Sequence, residues 1–224
     1  MNNKAHAESI NELQDKLNCL IHPEWIKQDF DFRAAAMLEM CEAYESTPWK
    51  WWKAVNLDKQ NMEVELVDTF HFLLSSTIIE FGKEGSLAIL LSLPEEHPVT
   101  KSFFYIDDDI KTYQQEMKHF IAATITSGMK DLWDRWSFLW LALGKTWDDI
   151  TYTYLIKNIL NIFRQENGYK EGTYIKDWIG ADGKRYEDNV MAWEIAESLP
   201  FDAGFEYNLK ETLTSTYLVT KQAI

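Results

Sequence analysis

The chain has 224 residues, so one large domain spanning 1–224 is the simplest expectation. Its 22 Lys and Arg against 36 Asp and Glu give a formal net charge of −14, which excludes a free DNA or RNA binder and disfavours contact with anionic membranes. Hydrophobic residues make up 46%, enough for a real core, and only 9 Gly and 5 Pro argue against a turn-rich β-sandwich.

Two cysteines, Cys19 and Cys41, do not make a secreted disulfide framework. The opening MNNKAHAESINELQDK has no apolar run, so no signal peptide is expected. Apolar stretches such as FHFLLSSTIIEF at 70–81 are too short or too polar for a membrane span. A soluble protein in a reducing, cytoplasmic setting is the expectation.

Most of the chain has a helical period. Ser9-Ile10-Asn11-Glu12 resembles a capping box, and Ile10, Leu13, Leu17, Leu20 and Ile21 predict a helix to about residue 20. A second helix is predicted over 31–46, capped by Asp31 and ended by Pro48. The third runs from near Asp58 to Gly82, with a short apolar helix at 84–93. Residues 107–127 and 129–143 predict two more, closed by Gly128 and Gly144, and Thr146 opens another that reaches Glu166. The stretch 167–186 holds four of the nine glycines and reads as a long functional loop. Helices near 188–198 and 202–221 complete an all-α, multi-helix bundle.

Two acidic pairs stand in unusual company. Glu39-Met40-Cys41-Glu42 and Glu65-Leu66-Val67-Asp68 each set two carboxylates one turn apart on one helix face. E-x-x-E is common on solvated faces, but here apolar residues surround both pairs. Carboxylates in such surroundings repel one another and are costly to bury unless compensated. Two such helices packed together would gather four oxygen ligands, the donor set that Mg²⁺ takes. Glu45 is a weaker outer-shell candidate, and Glu63 lies on another side of its helix. Asp68-x-x-His71 raises a di-iron alternative. Bundles of that kind use two Glu-x-x-His motifs, however, and a single His between Phe70 and Phe72 is more simply a packed residue.

Cations gather later in the chain. Lys157, Asn161 and Arg164 share one helix face, and NGYKEGTYIKDW adds Tyr169, Lys170 and Lys176. By itself this is a polar stripe; beside a metal-carboxylate cluster it suits phosphate oxygens. Trp49-Lys50-Trp51-Trp52 offers rings that can stack on a base, although most of the 10 tryptophans are better read as core. Gln14 and Asn18, at i and i+4, carry amides able to read a base edge.

The run E-M-C-E, W-K-W-W-K, E-L-V-D-T-F-H-F, then K-N-I-L-N-I-F-R-Q-E-N-G-Y-K-E-G-T-Y-x-K and E-D-N, resembles the dimeric dUTPases of the all-α NTP pyrophosphatase superfamily. The likeness covers about residues 9–195. The K-N-x-L-N-x-F-R-Q-x-N-G-Y-K block is its specific part. The acidic pairs alone would indicate only the wider superfamily, with its MazG-like members. The resemblance implies a helical homodimer with a four-helix, carboxylate-lined core that hydrolyses dUTP, and also dUDP, to dUMP. It implies Glu39, Glu42, Glu65 and Asp68 as ligands for two or three Mg²⁺ ions, with Mn²⁺ an alternative. Lys157, Asn161, Arg164, Tyr169, Lys170 and Lys176 are implied as phosphate ligands. Gln14 and Asn18 match the uracil-binding residues, with Trp49 or Trp52 and Asn189 nearby. Glu42 is the candidate base, supported by Glu39, and Arg164 the group that neutralises leaving-phosphate charge. Segment 83–106 departs from the family pattern and reads as a variable insertion. A dCTP-preferring or broader nucleotide pyrophosphohydrolase and a non-catalytic helical module are the competing readings.

Overall fold

The computed structural model describes residues 4–98 and 105–223, so part of the expected insertion, residues 99–104, lies outside the described residues. Eight α-helices follow in order: α1 Lys4–Ile21, α2 Phe32–Glu45, α3 Lys59–Glu96, α4 Ile110–Thr126, α5 Met129–Ala142, α6 Trp147–Glu166, α7 Asp188–Glu197 and α8 Phe205–Gln222. A 3₁₀ turn at Trp25–Lys27 and two short strands, β1 Asp177–Ile179 and β2 Arg185–Glu187, complete the described elements. The fold is an all-α multi-helix bundle. It divides into two compact units, Met1–Asp15 with Ile26–Thr151, and Lys16–Trp25 with Tyr152–Ile224.

In the first unit α2 packs on α3 and α4, and α5 packs on α4 and α3, closing four helices around one core. Asp31 caps α2 by accepting from the Ala34 N–H at 2.9 Å, and Asp58 caps α3 by accepting from the Asn61 N–H at 3.0 Å. The core is aromatic. Trp136 stacks on Trp140 at 5.5 Å and lies 5.0 Å from the Phe70 ring, and its indole N–H donates to the Leu66 carbonyl at 2.9 Å. Trp133 likewise donates to the Thr77 hydroxyl at 2.9 Å. Each buried ring thereby satisfies its polar atom and braces α3 from behind.

Gly82 does break α3, as its sequence position suggested, with φ 71° and ψ 175°. That conformation suits glycine because a side chain there would crowd the backbone. The helix resumes at once and absorbs the short segment predicted over 84–93. The Ser86 hydroxyl donates to the Asn11 side-chain oxygen at 2.7 Å, while the Asn11 amide donates to the Lys83 carbonyl at 2.8 Å. These bonds supply partners where the ladder is interrupted.

Two expectations are corrected here. Helix α1 begins at Lys4, so Ser9 lies inside it instead of capping it; the Lys4–Glu8 pair and the fully buried Ala7 favour the extra turn. The stretch 167–186 is not all loop. Trp178 pairs with Tyr186 in an antiparallel hairpin of the second unit, and the β1 backbone is tied to α8, with the Ile179 N–H donating to the Thr220 hydroxyl at 2.9 Å. Strands of three residues leave too little periodicity to be read from sequence. The hairpin covers a cluster in which Trp178, Phe163 and Tyr217 lie within 5.6 Å of one another, ring centre to ring centre.

No helix among the described residues is long and apolar enough to cross a membrane.

Candidate active site

The two E-x-x-E/D helices are neighbours in the first unit, and their packing brings carboxylates together. Glu39 and Glu42 from α2 and Glu65 from α3 can place oxygens all within 4.8 Å of one another. Glu65 is buried, Glu39 is half-buried and Glu42 is exposed, so the trio runs from the core to the surface. Asp68, half-buried one turn beyond Glu65, stands outside the trio. Burial, reinforced by the Glu42 charge, pushes the Cys41 thiol up, so the residue between the two α2 acids stays neutral.

A pocket of about 410 Å³ opens beside Glu42, lined also by Glu45, Ser46, Val55, Asn56, Asp58 and Asn61. Its rim is a built structure: the Asn61 amide donates to the Ser46 hydroxyl at 2.8 Å, and the Asp58 N–H donates to the Ser46 carbonyl at 2.9 Å. Ser46, Asn56 and Asn61 were not singled out from sequence, because single polar residues at helix ends and in a connecting loop carry no pattern. Glu45 forms an ion pair with Lys50, and Glu63 pairs with Lys145. His71 is buried, its Nδ1–H donating to the Val67 carbonyl at 2.8 Å, which is the packed role its apolar neighbours suggested.

The tryptophan run behaves unlike the core tryptophans. Trp51 is 90% exposed and Trp52 57%, whereas Trp49 lies half-buried against both Tyr44 and Trp52. The Trp49 indole N–H is buried without an acceptor. Gln14 is buried and its amide donates to the Ser75 hydroxyl of α3 at 3.0 Å. Asn18, also buried, belongs to the second unit.

In that second unit the cationic residues converge. Lys157 is buried, and its ammonium donates to the Asn189 side-chain oxygen at 2.9 Å. The same oxygen accepts from Arg164 Nη2 at 3.0 Å, and the Asn161 side-chain oxygen accepts from Arg164 Nη1 at 3.0 Å. The Arg164 guanidinium lies 5.9 Å from the centre of the Tyr169 ring. The turn that carries Tyr169 there needs glycine at 168, where φ is 89° and a side chain would meet the Thr173 hydroxyl at 2.1 Å. Lys170 donates to the Ile21 carbonyl at 2.9 Å, while Lys176 is exposed.

Sequence reasoning missed the anion among these cations. Asp188 is fully buried and takes Arg164 in a two-pronged bond, from Nε at 2.8 Å and Nη2 at 2.7 Å; it also accepts from the Tyr174 hydroxyl at 2.8 Å. Burial raises its pKa, but the bonds and charge of Arg164, the Tyr174 hydroxyl and the Lys157 charge together outweigh this and hold it below the usual carboxylate range. Burial, with Asp188 alongside, pushes the Tyr174 hydroxyl far up, so it remains a donor. The only available signal was position: Asp188 precedes Asn189 in E-D-N.

The first unit thus carries a carboxylate trio on two packed helices, and the second a cation cluster built on K-N-x-x-N-x-x-R. None of the curated proteins matches the chain. The family model described as dUTPase matches residues 6–169, a span that includes both acidic pairs and the cationic face of α6. Family and fold together identify the chain as a member of the all-α dUTPase family, that is, a dUTP diphosphatase.

Proposed function

We propose that the chain is a Mg²⁺-dependent homodimeric enzyme of the cytoplasm that hydrolyses dUTP to dUMP and pyrophosphate, and dUDP to dUMP and phosphate. The observation that carries this reading is the trio of Glu39, Glu42 and Glu65, whose oxygens gather within 4.8 Å inside a family of dUTPases. The donor set is made wholly of hard carboxylate oxygens, with no imidazole or thiolate, which suits Mg²⁺ and accepts Mn²⁺. Glu39, Glu42 and Glu65, with Asp68 one turn on, would hold two or three such ions. A divalent cation there makes water acidic enough to act at neutral pH and screens polyphosphate charge.

The protein's own groups do the rest. Glu42, exposed at the pocket, orients the attacking water and accepts its proton. Lys157, Asn161, Arg164, Tyr169, Lys170 and Lys176 bind phosphate oxygens, with Arg164 meeting the charge that grows on the leaving group. Gln14, Asn18 and Asn189 supply amides for the base, and Trp49 or Trp52 a stacking face; the unsatisfied indole N–H of Trp49 supports a polar ligand beside it.

The test is pyrophosphate release from a panel of deoxynucleotides, coupled to inorganic pyrophosphatase and colorimetric phosphate. Turnover of dUTP should exceed that of dCTP, stop in EDTA and return with Mg²⁺. Hydrolysis indifferent to EDTA would discard the metal reading, and a preference for dCTP would discard the uracil assignment.

A further inference from the structure

An acid buried inside a phosphate-binding cation cluster invites a question of sign. If charge alone mattered, Asp188 would repel the nucleotide's phosphates, and the site would bind better without it. The geometry describes a different role. Asp188 holds one edge of the Arg164 guanidinium through Nε and Nη2, at 2.8 and 2.7 Å. Asn161 takes Nη1, and Asn189 takes Nη2 together with the Lys157 ammonium. A planar fork held at three places cannot turn about its last side-chain bonds.

The support continues behind the acid. Tyr174 donates its hydroxyl to Asp188 at 2.8 Å, and its ring stacks on Tyr217 of α8 at 5.2 Å and 22°. Tyr217 is buried, and its own hydroxyl accepts from the Ile175 N–H at 3.0 Å. The Asp188 N–H donates to the Lys176 carbonyl at 2.9 Å, which ties the start of α7 to the loop. Every member of this chain lies in the second unit.

We infer that Asp188, braced by Tyr174, is a positioning residue: it sets the plane in which Arg164 meets the nucleotide's phosphates. The inference rests on Arg164 as a phosphate ligand, as proposed above. With Nε and Nη2 committed to Asp188 and Asn189, a phosphate oxygen meets Arg164 at Nη1, and that charge-assisted bond depends on the direction of the N–H, so a guanidinium able to turn binds less well even when local negative charge has been removed.

Asp188→Asn, Asp188→Glu, Tyr174→Phe and Arg164→Ala in the full chain test it. The readouts are calorimetric affinity for inorganic tripolyphosphate, kcat and KM for dUTP in Mg²⁺, and the melting temperature. Asp188→Asn should weaken tripolyphosphate binding and raise KM by roughly tenfold or more. Tyr174→Phe should act in the same direction by a smaller factor, and Asp188→Glu should recover part of the loss. A purely structural role would lower the melting temperature and the active fraction, leaving KM and tripolyphosphate affinity unmoved. Unchanged or tighter binding in Asp188→Asn, beside weaker binding in Arg164→Ala, overturns the positioning role and leaves the phosphate reading intact. Unchanged binding in Arg164→Ala removes the phosphate reading itself. Should Asp188→Asn not fold, Tyr174→Phe decides alone: a raised KM at full folded fraction supports the inference, and an unmoved KM overturns it.

Discussion

Replacing Glu65 by Gln should stabilise the metal-free protein while abolishing its response to Mg²⁺. Two ionised carboxylates 4.8 Å apart, the span within which the trio's oxygens gather, repel by about 3.5 kcal/mol at an effective dielectric near 20, and by about 0.9 kcal/mol in water. Glu65 is buried and Glu39 half-buried, so their interaction lies toward the larger figure; Glu42 is exposed, so its share lies toward the smaller. Side-chain rearrangement and the further polar partners that Glu39 and Glu65 keep relieve most of this, leaving about 1–2 kcal/mol for Gln to recover, or roughly 2–8 °C in melting temperature for a protein of this size. Cation binding reverses the order. At a Mg²⁺ concentration 100 times its dissociation constant the native protein gains about 2.7 kcal/mol, a gain that Glu65→Gln forfeits. Differential scanning fluorimetry in EDTA and in excess Mg²⁺, on both proteins, reads the crossing directly. A variant that melts lower than the parent in EDTA, yet shifts equally with Mg²⁺, would refute the reasoning.

Glu42→Gln and Asp68→Asn should each abolish dUTP turnover with helical circular dichroism unchanged; retained turnover in both would remove these acids from the site. Gln14→Ala should reduce the ratio of kcat/KM for dUTP over dCTP, and an unaltered ratio would discard Gln14 as a base reader. Trp136→Ala should cost about 3–5 kcal/mol in urea denaturation, because it empties the aromatic core and strips the Leu66 carbonyl of its indole donor. Asp188 is held below the ordinary carboxylate value, so its contribution to stability is present above about pH 3.9 and is lost as the pH falls through the lower folded-state value. Asp188→Asn should therefore flatten the acid limb of the stability curve, and a limb of unchanged slope would count against the Arg164–Asp188 bond.

The legible part of this protein was the part written in short-range periodicity. Ile10 and Leu17 on α1, the acids one turn apart on α2 and α3, and the row Lys157, Asn161, Arg164 on α6 all follow from helical spacing, which needs no partner to be seen. The breaks at Gly82 and Gly144 were legible for the same local reason, since both adopt positive φ. Even so, Gly82 only kinks α3. The contacts from Asn11 to Lys83 and Ser86 carry the helix onward, and these span more than 70 positions in the chain.

The tertiary structure decided what each charge is for. The sequence by itself determined an acidic all-α chain with two carboxylate pairs and a cationic stripe. Packing of α2 on α3 then selected Glu39, Glu42 and Glu65 as the group whose oxygens meet; elsewhere Glu45 pairs with Lys50, Glu63 with Lys145, and Asp188 is buried against Arg164. No spacing rule separates these acids, because composition counts charges whereas Coulomb energy depends on distance and burial. The net charge of −14 ruled out extended nucleic acids but did not bear on a small polyphosphate. For that ligand the deciding facts are three acids that converge and two cations, Lys157 and Arg164, held by a common partner at Asn189.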